Sequence, residues 1–252
     1  MPPLALHTVV AKGIADRLGH AVLDAERGHL YLGSTAPDIR VITRWDRRAT
    51  HFFDLSCFEE QSGVAELLRA HPELADIGRL KEATVAFMAG YISHLVMDET
   101  WISDIYRPFF GERSPMGGAV EANIMDRVLQ FALDTERRGD RQLIAHVLEQ
   151  VARCDLGVEV GFIEGEALRR WRDIIVQAVD AAPDWERFRY IAGGQLQEAG
   201  VDTPEAFAEF LRGVPELVAE TKRYLTPDRV RAFMGDSVTR GVVAVKEYLG
   251  CV

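Results

Sequence analysis

His94 and Asp98 stand four residues apart in the most apolar helical segment of the chain, and metal ligation is the first chemistry their types suggest. At that spacing two side chains share a helix face, with Cβ atoms about 5–6 Å apart. Imidazole nitrogen and carboxylate oxygen bind divalent metals at about 2.0–2.2 Å, so the pair can converge on one ion. A histidine and an aspartate left unpaired among Phe87, Met88, Ile92, Leu95 and Met97 would be costly to bury. The same spacing also serves a plain His–Asp hydrogen bond, so the residues around the pair matter. Gly90 lies one turn before His94, and a glycine inside a helix costs about 1 kcal/mol relative to alanine, which implies close approach by another segment. The run Gly33-Ser34-Thr35-Ala36-Pro37 delivers Asp38 from a stiff loop, where a carboxylate can also act as a loop cap. Thr50-His51-Phe52-Phe53-Asp54 adds a histidine flanked by aromatics, and His7 lies early in the first helical segment. The candidate metal ligands are therefore His7, Asp38, His51, His94 and Asp98. Imidazole and carboxylate donors suit zinc, iron or manganese, and the residue types do not choose among them.

Arg40, Arg44, Arg47 and Arg48 fall between two of these ligands. Guanidinium forks bind phosphate and carboxylate, which makes Arg44 and Arg48 candidate contacts for an anionic substrate. Pairing with surface acids explains the same run equally well. Trp45, Trp101, Phe109 and Phe110 suit either a pocket mouth or the core. His20, His29, His71 and His146 lack comparable partners and read as surface or loop residues.

The elements that must position these groups read as helices. Apolar residues recur at helical period over 4–18, 22–32, 57–70, 120–133, 141–151, 166–179, 185–191, 204–211, 214–225 and 227–249. The span 80–106 is apolar on more than one side, the mark of a central helix, and Arg107-Pro108 should end or bend it. Residues 39–53 are irregular and 109–118 form a loop. No period-two run of any length occurs, so the expected class is all-α. The simplest organisation is one helical domain over 1–252. A weak seam at 156–165 separates a metal-binding part (1–155) from a helical C-terminal extension (156–252).

The composition is 48% hydrophobic and 27% charged, ordinary for a globular chain. A net charge of -10, from 39 acids against 29 bases, argues against nucleic-acid binding, which needs a basic face. Cys57, Cys154 and Cys251 form no C-x-x-C pair, so neither a zinc ribbon nor a redox dithiol is readable. Met1-Pro2-Pro3-Leu4 carries no secretory signal and no apolar stretch is long enough to span a membrane, so the expected location is cytoplasmic.

In order, His7, the G-S-T-A-P-D run ending at Asp38, T-H-F-F-D around His51, and G-Y-I-S-H-L-V-M-D through Asp98 resemble the bacterial zinc-dependent phospholipase C family. Its relatives include helical nucleases with a three-zinc cluster. The resemblance covers roughly the first 110 residues. It implies a multi-helix phospholipase C/nuclease-like bundle around a central metal-binding helix, one to three ions with zinc favoured, and an Asp98 that bridges two of them. It also implies that Asp38 is the catalytic base that orients water. The pattern departs downstream: Asp104 stands where the family has a further histidine, and Glu121–Asp126 falls where it has an H-x-x-x-E helix. Asp104, Glu121, Asn123 and Asp126 are the substitutes on offer. The function implied is hydrolysis of a phosphoester or other small anionic molecule by a metal-activated water. A metal-dependent enzyme of another reaction class on the same scaffold, or a non-catalytic helical interaction protein with a structural metal, are the alternatives. The expected partner is a small anionic substrate, with homo-oligomerisation left open.

Overall fold

The computed structural model describes residues 4–59, 61–180 and 184–251, so the reading of Met1-Pro2-Pro3 lies outside the described residues. Among these residues every regular element is helical. The chain runs through α1 (Leu4–Leu18), α2 (Ala21–Ala25), α3 (Arg27–Gly33), α4 (Arg40–Thr43), α5 (Arg48–His51), α6 (Gly63–Ala70) and α7 (Glu82–Trp101). It continues through α8 (Val120–Arg138), α9 (Arg141–Arg153), α10 (Gly165–Asp180), α11 (Phe188–Glu198), α12 (Pro204–Leu225) and α13 (Pro227–Tyr248). Among the described residues, no helix is long and apolar enough to cross a membrane.

Helix α7 is apolar all round because it is the axle of the fold: α1, α3, α6 and α13 all pack on it. Helix α13 also packs on α1, so both ends of the described chain contribute to one apolar cluster with α7. A second, smaller cluster joins α8, α11 and α12 through Val128, Phe188, Ala192 and Phe207. The crossing of α3 over α7 is glycine-lined on both sides. A Cβ at Gly33 would lie 2.0 Å from the Phe87 carbonyl oxygen, and one at Gly90 would lie 2.0 Å from that of Leu30. Backbone touches backbone there, which accounts for a helix-weakening glycine at position 90.

Several boundaries differ from the periodic reading, each for a visible reason. The expected helix over 22–32 is two helices, broken at Glu26 (φ -111°, ψ 37°). There His29 bridges Glu26 Oε2 and the Asp155 carbonyl, both at 2.7 Å, so this histidine is a buried strut rather than a surface residue. The expected helix over 57–70 begins only at Gly63, where the Ser62 hydroxyl caps the Ala65 amide. Arg107-Pro108 does not end the central helix. The chain widens into a π-helix over Ile102–Phe110, closed by the Gly111 amide on the Tyr106 carbonyl at 2.7 Å. The wider turn accommodates a residue that has no N–H and crowds the preceding turn. The two expected helices at 204–211 and 214–225 are one, with Phe207, Val214 and Thr221 seven apart on its buried face and Pro215 inside.

Candidate metal centre

Each proposed ligand is delivered by a different kind of local structure. His7 sits in the first turns of α1, whose N-terminus is pinned by the Asp134 carboxylate of α8 accepting from the Ala5 amide at 2.8 Å. Asp38 belongs to a single 3-10 turn, Ala36–Ile39, that Pro37 stiffens and that is steadied by Trp171 Nε1 donating to the Thr35 hydroxyl at 3.2 Å. His51 ends α5, and Phe52 reverses the chain with φ +53°, a left-handed value uncommon for a residue with a side chain. The Tyr91 hydroxyl donates to the Thr50 carbonyl and ties this turn to α7. His94 and Asp98 project from one face of α7, buried among its neighbours.

The structure brings all five together. His51 Nε2 lies 3.6 Å from Asp38 Oδ1 and 3.4 Å from Asp98 Oδ2, while His94 Nε2 lies 3.8 Å from Asp98 Oδ2. Ligand atoms at the corners of a tetrahedron with bonds of about 2.0–2.1 Å are separated by about 3.3 Å, close to these spacings. On the other side of Asp98, His7 Nε2 lies 3.6 Å from Oδ1, and the His7 and His94 rings stack with centroids 3.7 Å apart. The ligand atoms of His7, His94 and Asp98, and those of Asp38, His51 and His94, each lie within 4.8 Å of one another. Both groupings need His94 Nε2, which has one lone pair, so only one can use it at a time. Asp98 Oδ2 also approaches the His51 and His94 nitrogens of the second grouping, while His7 and Asp98 Oδ1 form an outer edge on the other side.

Hydrogen bonds fix which nitrogens are offered. His94 Nδ1 is 2.8 Å from the Ser34 carbonyl, which can only accept, so the proton is on Nδ1 and Nε2 is free to bind. Thr50 donates its hydroxyl to the Arg47 carbonyl and accepts from His51 Nδ1 at 2.9 Å, which again frees Nε2. This outer ring of acceptors is the arrangement metal-binding histidines use. Meanwhile His7 Nδ1 and Nε2, His51 Nε2, His94 Nε2, Asp38 Oδ1 and Asp98 Oδ1 are buried and lack hydrogen-bond partners. Leaving a buried polar group unsatisfied costs about 1–3 kcal/mol, so such a concentration calls for a shared partner.

The electrostatics point the same way. Burial, reinforced by His94, pushes His7 down to about 3, and burial brings His51 down to about 4 against the pull of Asp38. Both are neutral, hence ligand-ready, at physiological pH. Burial by itself would raise Asp38 and Asp98, but for Asp38 the His51 imidazole, and for Asp98 that of His94, lead the effects that hold each below the usual carboxylate range. Two buried carboxylates then face a single guanidinium, Arg47, whose Nη2 donates to Asp98 Oδ2 at 3.0 Å. One negative charge is left over, which a divalent cation would compensate.

Arg47 is the contact the sequence reading passed over in favour of its neighbours. Arg48 is exposed and ion-paired with Asp54, and Arg44 is exposed at the end of α4. The cue was present: Arg47 precedes His51 by four residues, one helical turn. The substitute ligands do not join the group. Asp104 pairs with Arg240 at 2.8 Å, Glu121 is exposed, and Asn123 accepts from the Tyr106 hydroxyl at 2.9 Å. Asp126 is buried, but its two oxygens accept from Trp101 Nε1 at 2.9 Å and Gln130 Nε2 at 2.7 Å. Beside the group, a cavity of about 470 Å³ reaches Asp98 and is walled by Trp101, Tyr106, Arg107, Arg127 and Gln130. Neither Arg44 nor Arg48 lines it.

No model of a known protein family matches the chain, and no curated protein or solved structure matches it either.

Proposed function

We propose that this chain is a metal-dependent hydrolase of phosphoesters or other small anionic molecules. The observation that carries the reading is that Asp98 belongs both to the buried ligand group and to the wall of the cavity. An ion used only for structure is enclosed by four protein ligands, whereas a catalytic one keeps a position for water or substrate. Here the outer edge, His7 and Asp98 Oδ1, offers two protein ligands and so leaves such positions. The ordered likeness of the first 110 or so residues to zinc-dependent phospholipase C supports the same chemistry. Zinc is the favoured metal, with iron and manganese compatible with the same donors.

A bound divalent metal supplies Lewis-acid polarisation of a phosphoryl or carbonyl oxygen and brings the pKa of a water it holds towards 7. The residues of the chain do the rest. Asp38, at 8% the most exposed of the five, stays ionised and accepts the proton of the attacking water. Arg47 holds the Asp98 carboxylate in place. His94 and His51 keep their ring orientation through Ser34 and Thr50. The test is hydrolysis of p-nitrophenyl phosphate and bis(p-nitrophenyl) phosphate. Metal-loaded protein should turn over at least one of them, chelation should abolish this, and Asp38→Asn should lower kcat more than metal content. A fully loaded protein inert towards both would favour a structural metal or a different reaction class.

A further inference from the structure

The cavity beside Asp98 contains two cations that the catalytic reading has not used. Arg107, in the π-helix, gives one N–H to the Cys57 carbonyl, and its guanidinium lies 4.9 Å from the Phe58 ring centroid and 5.8 Å from that of Phe53. Arg127, on α8, donates from Nη1 to Gln130 Oε1 at 3.3 Å. Among the described residues, no carboxylate lies within 4.0 Å of either guanidinium, although the chain has 39 acids and 29 bases. The buried carboxylate nearest in sequence, Asp126, has both oxygens taken by Trp101 and Gln130. Glu112 on the cavity wall is exposed and pairs with neither arginine. The side chain of Gln195, also on the wall, forms no hydrogen bond among the described residues and adds a spare amide.

The wall away from the metal is thus rich in spare donors. Nine residues, the last six of them in the more compact π-helix, put Arg107 on the order of 10 Å along the helix axis from Asp98, so the two lie at different ends of the cavity. We infer that Arg107 and Arg127 form a second anion subsite, and that the substrate is an organic phosphate carrying a further phosphate or carboxylate on its leaving group. This rests on the hydrolase reading for the role of the metal end, but the subsite can be tested by binding alone. A planar fork matches either anion, and aromatic rings beneath Arg107 hold its side chain in position, so little freedom is lost on binding.

The experiment is calorimetric titration of metal-loaded protein with two probes, phenyl phosphate and fructose 1,6-bisphosphate. Wild type should bind the bisphosphate at least about ten-fold more tightly, because only that probe reaches both ends. Arg127→Gln, which gives up one hydrogen bond, and Arg107→Gln should each remove most of that advantage. Phenyl phosphate affinity and metal content should be unchanged. Arg107→Lys keeps the charge over the Phe58 ring and should recover part of the preference, which guards against a folding defect in Arg107→Gln. Equal binding of the two probes by wild type, or variants that weaken both probes alike, would overturn the subsite. Failure of the hydrolase reading would look different: no turnover of either chromogenic ester, with the bisphosphate preference intact.

Discussion

Replacing Gly90 with alanine isolates the contact that sets the geometry of the centre. In an open helix the change is stabilising by about 1 kcal/mol, because alanine restricts the unfolded chain. At position 90 the added Cβ would stand 2.0 Å from the Leu30 carbonyl oxygen and 2.8 Å from the Ser34 nitrogen, against ordinary contacts of 3.4 Å or more. The obstructing atoms are backbone, so α3 and α7 must part by more than an ångström. Overpacking of this kind typically costs about 1–3 kcal/mol and sometimes more, which outweighs the propensity gain. A net loss of about 1–2 kcal/mol corresponds to roughly 2–8 °C in a chain of this size. The same displacement draws the Ser34 carbonyl away from His94 Nδ1, and loss of such a support typically costs about 10- to 100-fold in metal affinity. Thermal unfolding and a competitive zinc titration read both effects. Gly235→Ala, where nothing lies within 4 Å of the new Cβ, is the control and should raise Tm by a few degrees. A Gly90→Ala protein with wild-type Tm and wild-type zinc affinity would refute the role given to this crossing.

Arg47→Ala should destabilise chelator-stripped protein by on the order of 3 kcal/mol, measured by urea unfolding, because it leaves Asp98 buried without its guanidinium; added zinc should shrink the loss. His7 and His51 fall from 6.5 to about 3 and about 4, so the folded state binds fewer protons than the unfolded one below neutrality. Their contribution is complete above about pH 6.5 and is lost as pH falls towards 4 and 3, and a urea midpoint that did not drop over that window would contradict it. Glu99 has the opposite sign: burial lifts it from 4.5 to about 7, so its contribution is present below 4.5 and lost as pH rises through 7. Glu99→Gln should therefore gain on wild type in urea midpoint between pH 5 and pH 8. Asp126→Asn should cost about 1–3 kcal/mol through its indole and amide partners yet leave metal content unchanged, whereas loss of an ion would make α8 part of the centre.

Much of the fold was legible because helical periodicity is a local property. The apolar surround of 80–106 announced a central helix, and Gly90 announced a close neighbour. What periodicity could not give were features set by distant partners. The break at Glu26 depends on Asp155, the π-helix through Pro108 on the packing of α7, and the continuity of α12 on a buried stripe at 207, 214 and 221. In the centre, residue type and order brought His7, Asp38, His51, His94 and Asp98 together on the page. The choice of Arg47 over Arg44 and Arg48 depended on which way a single turn of helix faces. The occupation of Asp126 by Trp101 likewise arises between helices, and no spacing within one segment encodes it.

The central claim is that the buried His–Asp group holds a divalent metal. Elemental analysis of purified protein beside His94→Ala tests it most directly, with circular dichroism confirming that the variant is folded. Wild type should carry at least one divalent ion per chain after dialysis against zinc and removal of the excess, and the variant should lose it, because His94 Nε2 is common to both ligand groupings. Stoichiometric metal retained by His94→Ala, or a wild type that takes up none, would contradict the account.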